Sequence, residues 1–222
     1  MEKILNFLPE LAVGTRDTLY MVGVSAVFSY LLGLPLGILL VLTARDGIAP
    51  NKPLNTVLGW IINLGRSIPF IIIVVALIPF TRLVVHTFIG PTAAIVPLVV
   101  AAAPFVARVV ESSLKEIDQG VVEAAQAMGA TKLQIIFKVL VPECIPSLVR
   151  GFSITAITLV GYSAMAGAVG GGGLGDLAIR YGFHRYQADI MMVTVVLLVV
   201  MVALIQLGLG YLAKRLDKRN RT

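Results

Sequence analysis

From Thr18 to Thr43 the sequence carries no charged side chain, and the stretches 151–175 and 190–213 repeat that pattern. A helix rising ~1.5 Å per residue crosses a bilayer core of ~30 Å in about twenty residues, so each stretch is long enough to span. Two further apolar runs, 55–80 and 88–110, each hold a single arginine next to proline-bearing sequence or other apolar residues, apart from Arg82 just beyond the first. Lipid offers the backbone no hydrogen-bond partners, and a segment of this length satisfies its own only as a helix. The sequence therefore predicts an all-α integral membrane protein with five transmembrane helices, forming a single transmembrane domain over 1–222. Composition agrees: 58% hydrophobic residues, 14% charged residues and a mean hydropathy of +0.93 lie outside the range of a soluble domain. Met1 to Thr18 mixes acids and bases and has no small-residue cleavage site, so the first span is expected to stay in the mature protein.

The net charge of +6 could suggest a nucleic-acid partner, but Lys and Arg gather at segment ends and in the tail, where topology explains them. With five spans, Arg45, Lys52, Arg66, Arg108, Lys115, Lys132, Lys138, Arg150 and the tail residues Lys214, Arg215, Lys218, Arg219 and Arg221 fall on one side. Only Lys3, Arg16, Arg82, Arg180 and Arg185 fall on the other. The richer side is the cytoplasmic one, which places the N-terminus outside, the C-terminus in the cytoplasm and the loop 111–150 in the cytoplasm. Cys144 is the only cysteine, so no intrachain disulfide can form, and no Cys/His cluster has metal-ligand spacing.

Within that loop, Glu123 to Pro142 has the character of a docking element. Asp118 can cap a short helix whose Val121, Ala124, Ala125 and Met128 make a small-residue face, with Glu123 near its positive end and Gly129 as its stop. Thr131 and Gln134 stand at capping-box positions for a second helix. Its Leu133, Ile136, Phe137 and Leu140 recur with helical period, and Pro142 is expected to end it.

Glu123-Ala124-Ala125, then Gly129, then Val139, Val141 and Pro142 resemble the EAA loop of ABC importer permeases, with valines at the pattern's Ile and Leu positions. The resemblance implies type I importer architecture, in which this loop is a cytoplasmic coupling helix docked on an ATPase subunit. It assigns Glu123, Ala124, Ala125, Met128, Gly129, Thr131 and Pro142 to the coupling contact. Ser163 to Gly175 with Asp176 to Gly182, in a five-span layout, is similar to the methionine permeases of bacterial ABC importers. The implied system is a homodimer in the bacterial inner membrane, with two ATPase subunits, an extracytoplasmic substrate-binding protein or lipoprotein and a small-molecule substrate moved by alternating access. The implied chain binds no cofactor; ATP and Mg belong to the partner, and there is no Walker-type loop here. Relatives by motif that carry glycine betaine or choline form the alternative, although the spans lack an evident aromatic cage.

For the translocation path or gate the candidates are Arg66, Ser67, Pro69, Ser163 and Met165. Arg66 either lines the path or snorkels while Pro69 kinks the helix. Met165 suits a movable constriction and equally an ordinary packing role. Gly33 and Gly37 read as a close-packing face, with a bend at Pro35, and Pro97 and Pro104 as bends in the third span. Gly170, Gly172 and Gly175 fit G-x-G-x-x-G without the preceding strand, so no nucleotide site follows; the glycines are expected to make the helix lose order near the membrane surface, and equally to give a flexible segment that shapes the outer gate or the receptor contact. A secondary transporter would need intramembrane ionisable pairs and usually internal repeats, and neither is evident in the sequence. An intramembrane enzyme would need a base near Ser163, whereas His86 and His184 fall at outer ends of spans.

Overall fold

The computed structural model describes residues 6–217, and among these the regular structure is helical. In chain order the helices are α1 (Leu8–Thr43), α2 (Lys52–Ser67), α3 (Phe70–Ala76), α4 (Ile78–Val85), α5 (Pro91–Lys115), α6 (Gln119–Ala127), α7 (Lys132–Ile135), α8 (Val141–Gly167), α9 (Gly173–Leu177) and α10 (Ala188–Leu216). Two wider π-type turns, Ile136–Leu140 and Ala178–Phe183, join α7 to α8 and prolong α9. Leu8–Thr43, Pro91–Lys115, Lys132–Gly167 and Ala188–Leu216 are each long and apolar enough to cross a membrane, and the broken pair α2 and α3 makes a fifth span when taken as one. The five-span, all-α expectation holds. Lys3, Lys218, Arg219 and Arg221 of the charge count lie outside the described residues.

Span boundaries differ from the apolar runs for a physical reason: charge limits insertion into lipid, not helicity. α1 begins at Leu8 rather than Thr18 and carries Glu10, Arg16 and Asp17 in helical conformation, with Arg16 donating to Asp17 at 2.8 Å. At ~1.5 Å per residue its 36 residues reach about 54 Å, well beyond a bilayer core. α5 likewise starts at Pro91, where a proline's missing N–H costs nothing, and runs on to Lys115. It is unbroken across Pro97 and Pro104, as α1 is across Pro35.

Two compact units emerge from the contacts. The first comprises Met1–Ser29, Ile68–Ala102 and Thr155–Gln206. Here the glycine run is a built reversal, contrary to the expected loss of order. Gly170, Gly172 and Gly173 have φ of +90°, +78° and +77°, which other residues rarely adopt. The Thr18 hydroxyl donates to the Gly14 carbonyl at 2.9 Å and accepts from the Leu174 N–H at 2.9 Å, so α1 supplies a hydroxyl to the start of α9. Gly90 N–H donates to Gly170 O at 2.8 Å, fixing the other side of the turn. A methyl group at Gly173 would meet Thr18 Oγ1 at 2.7 Å.

The second unit comprises Tyr30–Ser67, Ala103–Ile154 and Leu207–Thr222. Gly33 and Gly37 lie against α5: a Cβ on either would come within 2.6 Å of Val106 or Val110. Such backbone approach, rather than greasiness, holds helices together in lipid. Asn55 ties α2 to the end of α1, donating to Leu40 O at 2.7 Å and Thr43 Oγ1 at 3.0 Å. The core collects Val106, Val110, Leu114 and Ile117 from α5 and its end, Ala125 from α6, and Ile135, Ile136, Leu140 and Cys144 from α7 through α8. Cys144 Sγ donates to Ser113 O at 3.0 Å.

Candidate functional site

The first half of the segment from Asp118 to Pro142 folds as its local chemistry dictates. Asp118 has extended backbone angles and its carboxylate accepts the Gly120 N–H at 2.7 Å, which starts α6. At the other end Gly129, at φ +79°, donates to Gln126 O at 2.9 Å, and Ala130 N–H donates to Ala125 O at 3.1 Å. This pair of bonds is the Schellman closure, which needs a left-handed residue at the glycine's position. Glu123 stands beyond the first turn of α6, which contains no acid. Because dipole effects fade within a turn, it is Asp118 that meets the positive end, a correction to the reading of Glu123.

α6 presents two opposed faces. Ala125 is 4% exposed, inside the second unit's core, while Glu123, Ala124, Met128 and Gly129 are exposed. Of the small-residue face expected from Val121, Ala124, Ala125 and Met128, only Ala125 is therefore turned inward. Glu123 also lines a cavity of about 190 Å³ with Asp46, Lys115, Gln119 and Gln126 at its rim. Gln119 Nε2 donates across it to Asp46 at 3.3 Å.

The second half begins as expected and continues otherwise. Thr131 accepts from Gln134 N–H at 3.4 Å and its own N–H donates to Gln134 Oε1 at 2.8 Å, a complete capping box. Pro142, which is exposed, does not end the helix. The chain widens before it, with Val141 N–H donating to Ile136 O five residues back, and continues as α8 to Gly167. A proline ring clashes with the carbonyl four residues earlier in a regular helix, and the wider turn relieves that clash. The extra residue per turn also shifts the apolar stripe. Ile135, Ile136 and Leu140 are buried, whereas Leu133 and Phe137 are 67% and 66% exposed. With Met128 at 81%, they leave three large apolar side chains uncovered around Gly129 and Thr131. Sequence periodicity placed Leu133 and Phe137 on the inner face; Pro142 following a regular apolar repeat was the available sign of a register change.

The path candidates divide between the units. In the second, Arg66 is exposed in the last turn of α2, where its charge suits the negative helix end, and Ser67 Oγ donates to Asn63 O at 2.8 Å. In the first, Pro69 caps α3 in an extended conformation. The next residue, Phe70, stacks on Tyr162 of α8 with parallel rings 4.6 Å apart. Next to Tyr162 in sequence, Ser163 is 1% exposed with its hydroxyl donated to Val160 O at 2.8 Å. Ser163 has its proton engaged by backbone and resembles a packing serine more than a nucleophile. Met165 is 51% exposed. His86 occupies the left-handed cap that ends α4, at φ 62°, and His184 is exposed.

Residues 33–222 match the family of binding-protein-dependent transport system inner membrane components. The chain is 56% identical over 209 residues to a Vibrio cholerae protein named probable D-methionine transport system permease protein MetI, covering 94% of this chain and 93% of that one. It is 45% identical over 212 residues to the Bacillus subtilis methionine import system permease protein MetP, covering 96% of each. A chain from an inward-facing structure of the MetNI methionine ABC transporter superposes with a TM-score of 0.95 at 49% identity, covering 96% of this chain and 99% of that one. With its spans, its reversed glycine turn and its exposed α6 in place, this chain belongs to the binding-protein-dependent transport system inner membrane components, the permease subunits of ABC importers, whose work is translocation and not catalysis.

Proposed function

We propose that this chain is the membrane-spanning subunit of a methionine importer. Two copies form the passage, two separate ATPase subunits carry ATP and Mg, and an extracytoplasmic binding protein delivers the amino acid. The near-complete match to the MetNI chain carries the reading, and methionine in the names of relatives at 45–56% identity supports the substrate. The charge asymmetry supports an outside N-terminus and a cytoplasmic α6.

The arrangement suits transmission of force. The ATPase grips the outward face of α6, through Glu123, Ala124 and Met128, together with Leu133 and Phe137 beyond the Gly129–Thr131 turn. Ala125 acts from beneath, seating α6 on a cluster shared with α5 and α8. Close-packed interiors do not deform smoothly, so a displacement of α6 moves the spanning helices. Arg66, Ser67, Pro69 and Met165 are the side chains we assign to the path or gate, and Ser163, buried with its hydroxyl on the Val160 carbonyl, supports its own helix.

The aromatic contacts favour methionine over a quaternary amine. Phe70 and Tyr162 turn their faces to each other, and the rings of Phe88 and Tyr181 already carry the chain's own Arg82, Arg180 and Arg185. No open box for a cation is formed by these rings. The test is uptake of labelled methionine by liposomes holding the chain with its ATPase and binding protein, with betaine and choline as competitors. ATP-dependent uptake indifferent to the amines is expected; ATP-dependent uptake of another solute would sink the substrate, and uptake without ATP the whole reading.

A further inference from the structure

We infer that Arg108 is a positioning residue for transport, clasping α2 to α5 so that the two helices travel as one body when α6 is displaced; this rests on the importer reading above. From α5, its Nη2 donates to Asn63 Oδ1 at 2.9 Å and to Gly59 O at 3.3 Å, both on α2. Its Nη1 pairs with Glu111 one turn further along α5, and Glu111 also accepts from Lys115 at 2.8 Å. The Arg108 and Glu111 side chains are 26% and 12% exposed. Beside the clasp, Gly65 of α2 leaves room for the Pro104 ring of α5: a Cβ there would lie 2.8 Å from Pro104 Cγ.

The energetics are lopsided. Arg108 Nε is already buried without a partner, and sliding α2 along α5 would take away both acceptors on α2. A guanidinium largely removed from water loses far more when its partners leave than it gains when they are present. The Glu111 pair stays with α5 in any register, but only the present register of the two helices gives Nη2 both of its acceptors. At one end the clasp adjoins the α6 seat, because Lys115 ends α5 and Leu114 and Ile117 pack in the cluster that holds Ala125. At the other, the Asn63 carbonyl that accepts from Ser67 places it one turn before the Arg66–Pro69 segment. A push on α6 carries α5, and Arg108 makes α2 follow. The fork, rather than the charge, does this, since a lysine cannot reach three acceptors in one plane.

The experiment uses the complete reconstituted complex with methionine as the probe. Arg108→Lys is expected to keep dimer assembly and ATP hydrolysis while the ATP consumed per methionine imported rises roughly twofold to thirtyfold, the span of single-residue coupling contributions. In a Cys144→Ala chain, Arg108→Cys with Asn63→Cys joined by a short bifunctional thiol reagent restores the tie. Its ratio is expected to fall back towards that of Cys144→Ala alone. An unchanged ratio in Arg108→Lys, or transport abolished by the cross-link, would show that α2 and α5 slide and overturn the inference. Failure of the wild-type complex to import methionine would instead remove the importer reading, and the inference with it.

Discussion

Ala125 and Gly129, four residues apart, are constrained by opposite things, space at one and backbone at the other. Around Ala125 the core is closed, so Ala125→Leu must displace neighbours, at a cost of about 1–3 kcal/mol for overpacking. Around Gly129 there is open space, nothing lying within 4 Å of an added Cβ, yet φ is +79°. Gly129→Ala therefore costs about 1–2 kcal/mol through conformation alone and loosens the end of α6. Both variants are expected to reduce ATPase copurification, but Ala125→Leu, which disturbs the shared core, should lower the melting temperature of the detergent-solubilised permease more than Gly129→Ala, whose cost is met by fraying the end of α6. Equal thermal losses in the two would contradict the assignment of Ala125 to the core. Phe137→Ala offers the complement: weaker ATPase binding, by about 1–2 kcal/mol for a large apolar contact, with the permease's own melting unchanged. Titration of the purified ATPase against each variant measures this.

At the scale of elements, what was legible in the sequence was local. Asp118, Gly129, Thr131 and Gln134 act through partners two to five residues away, and their cap bonds appear as the residue types require. The spans were legible because lipid permits few alternatives. The inner face of α7 was not, because the widened turn at Ile136–Leu140 changes the period within a few residues. Nor was the clasp: Arg108 and Asn63 are separated by 45 positions, and sequence alone could only count Arg108 among the charges of one side. Pro142→Ala tests the element directly. Restoring the N–H permits a regular helix from α7 into α8, which rotates Leu133 and Phe137 relative to α6. ATPase association is expected to weaken while membrane insertion is unaffected; a wild-type affinity would mean that the wide turn has no bearing on the contact.

For the whole molecule, topology yields the broadest expectation. Tyr186 is 90% exposed in the segment between α9 and α10, and Met128 is 81% exposed after α6. In a Cys144→Ala chain, Tyr186→Cys should react with a membrane-impermeant thiol reagent in intact spheroplasts, and Met128→Cys only after the membrane is opened. The reverse pattern would invert the orientation and remove α6 from reach of any cytoplasmic ATPase. The segment from Asp118 to Pro142 also bears on inheritance. Ala124 and Ala125 are chemically identical neighbours, yet one faces outward from the chain and the other lies within its fold. Exchange of the ATPase gene for a distant relative's should therefore select compensating changes at Ala124, Met128, Leu133 and Phe137 and leave Ala125 and Gly129 alone, so that two genes share the authorship of one short helix.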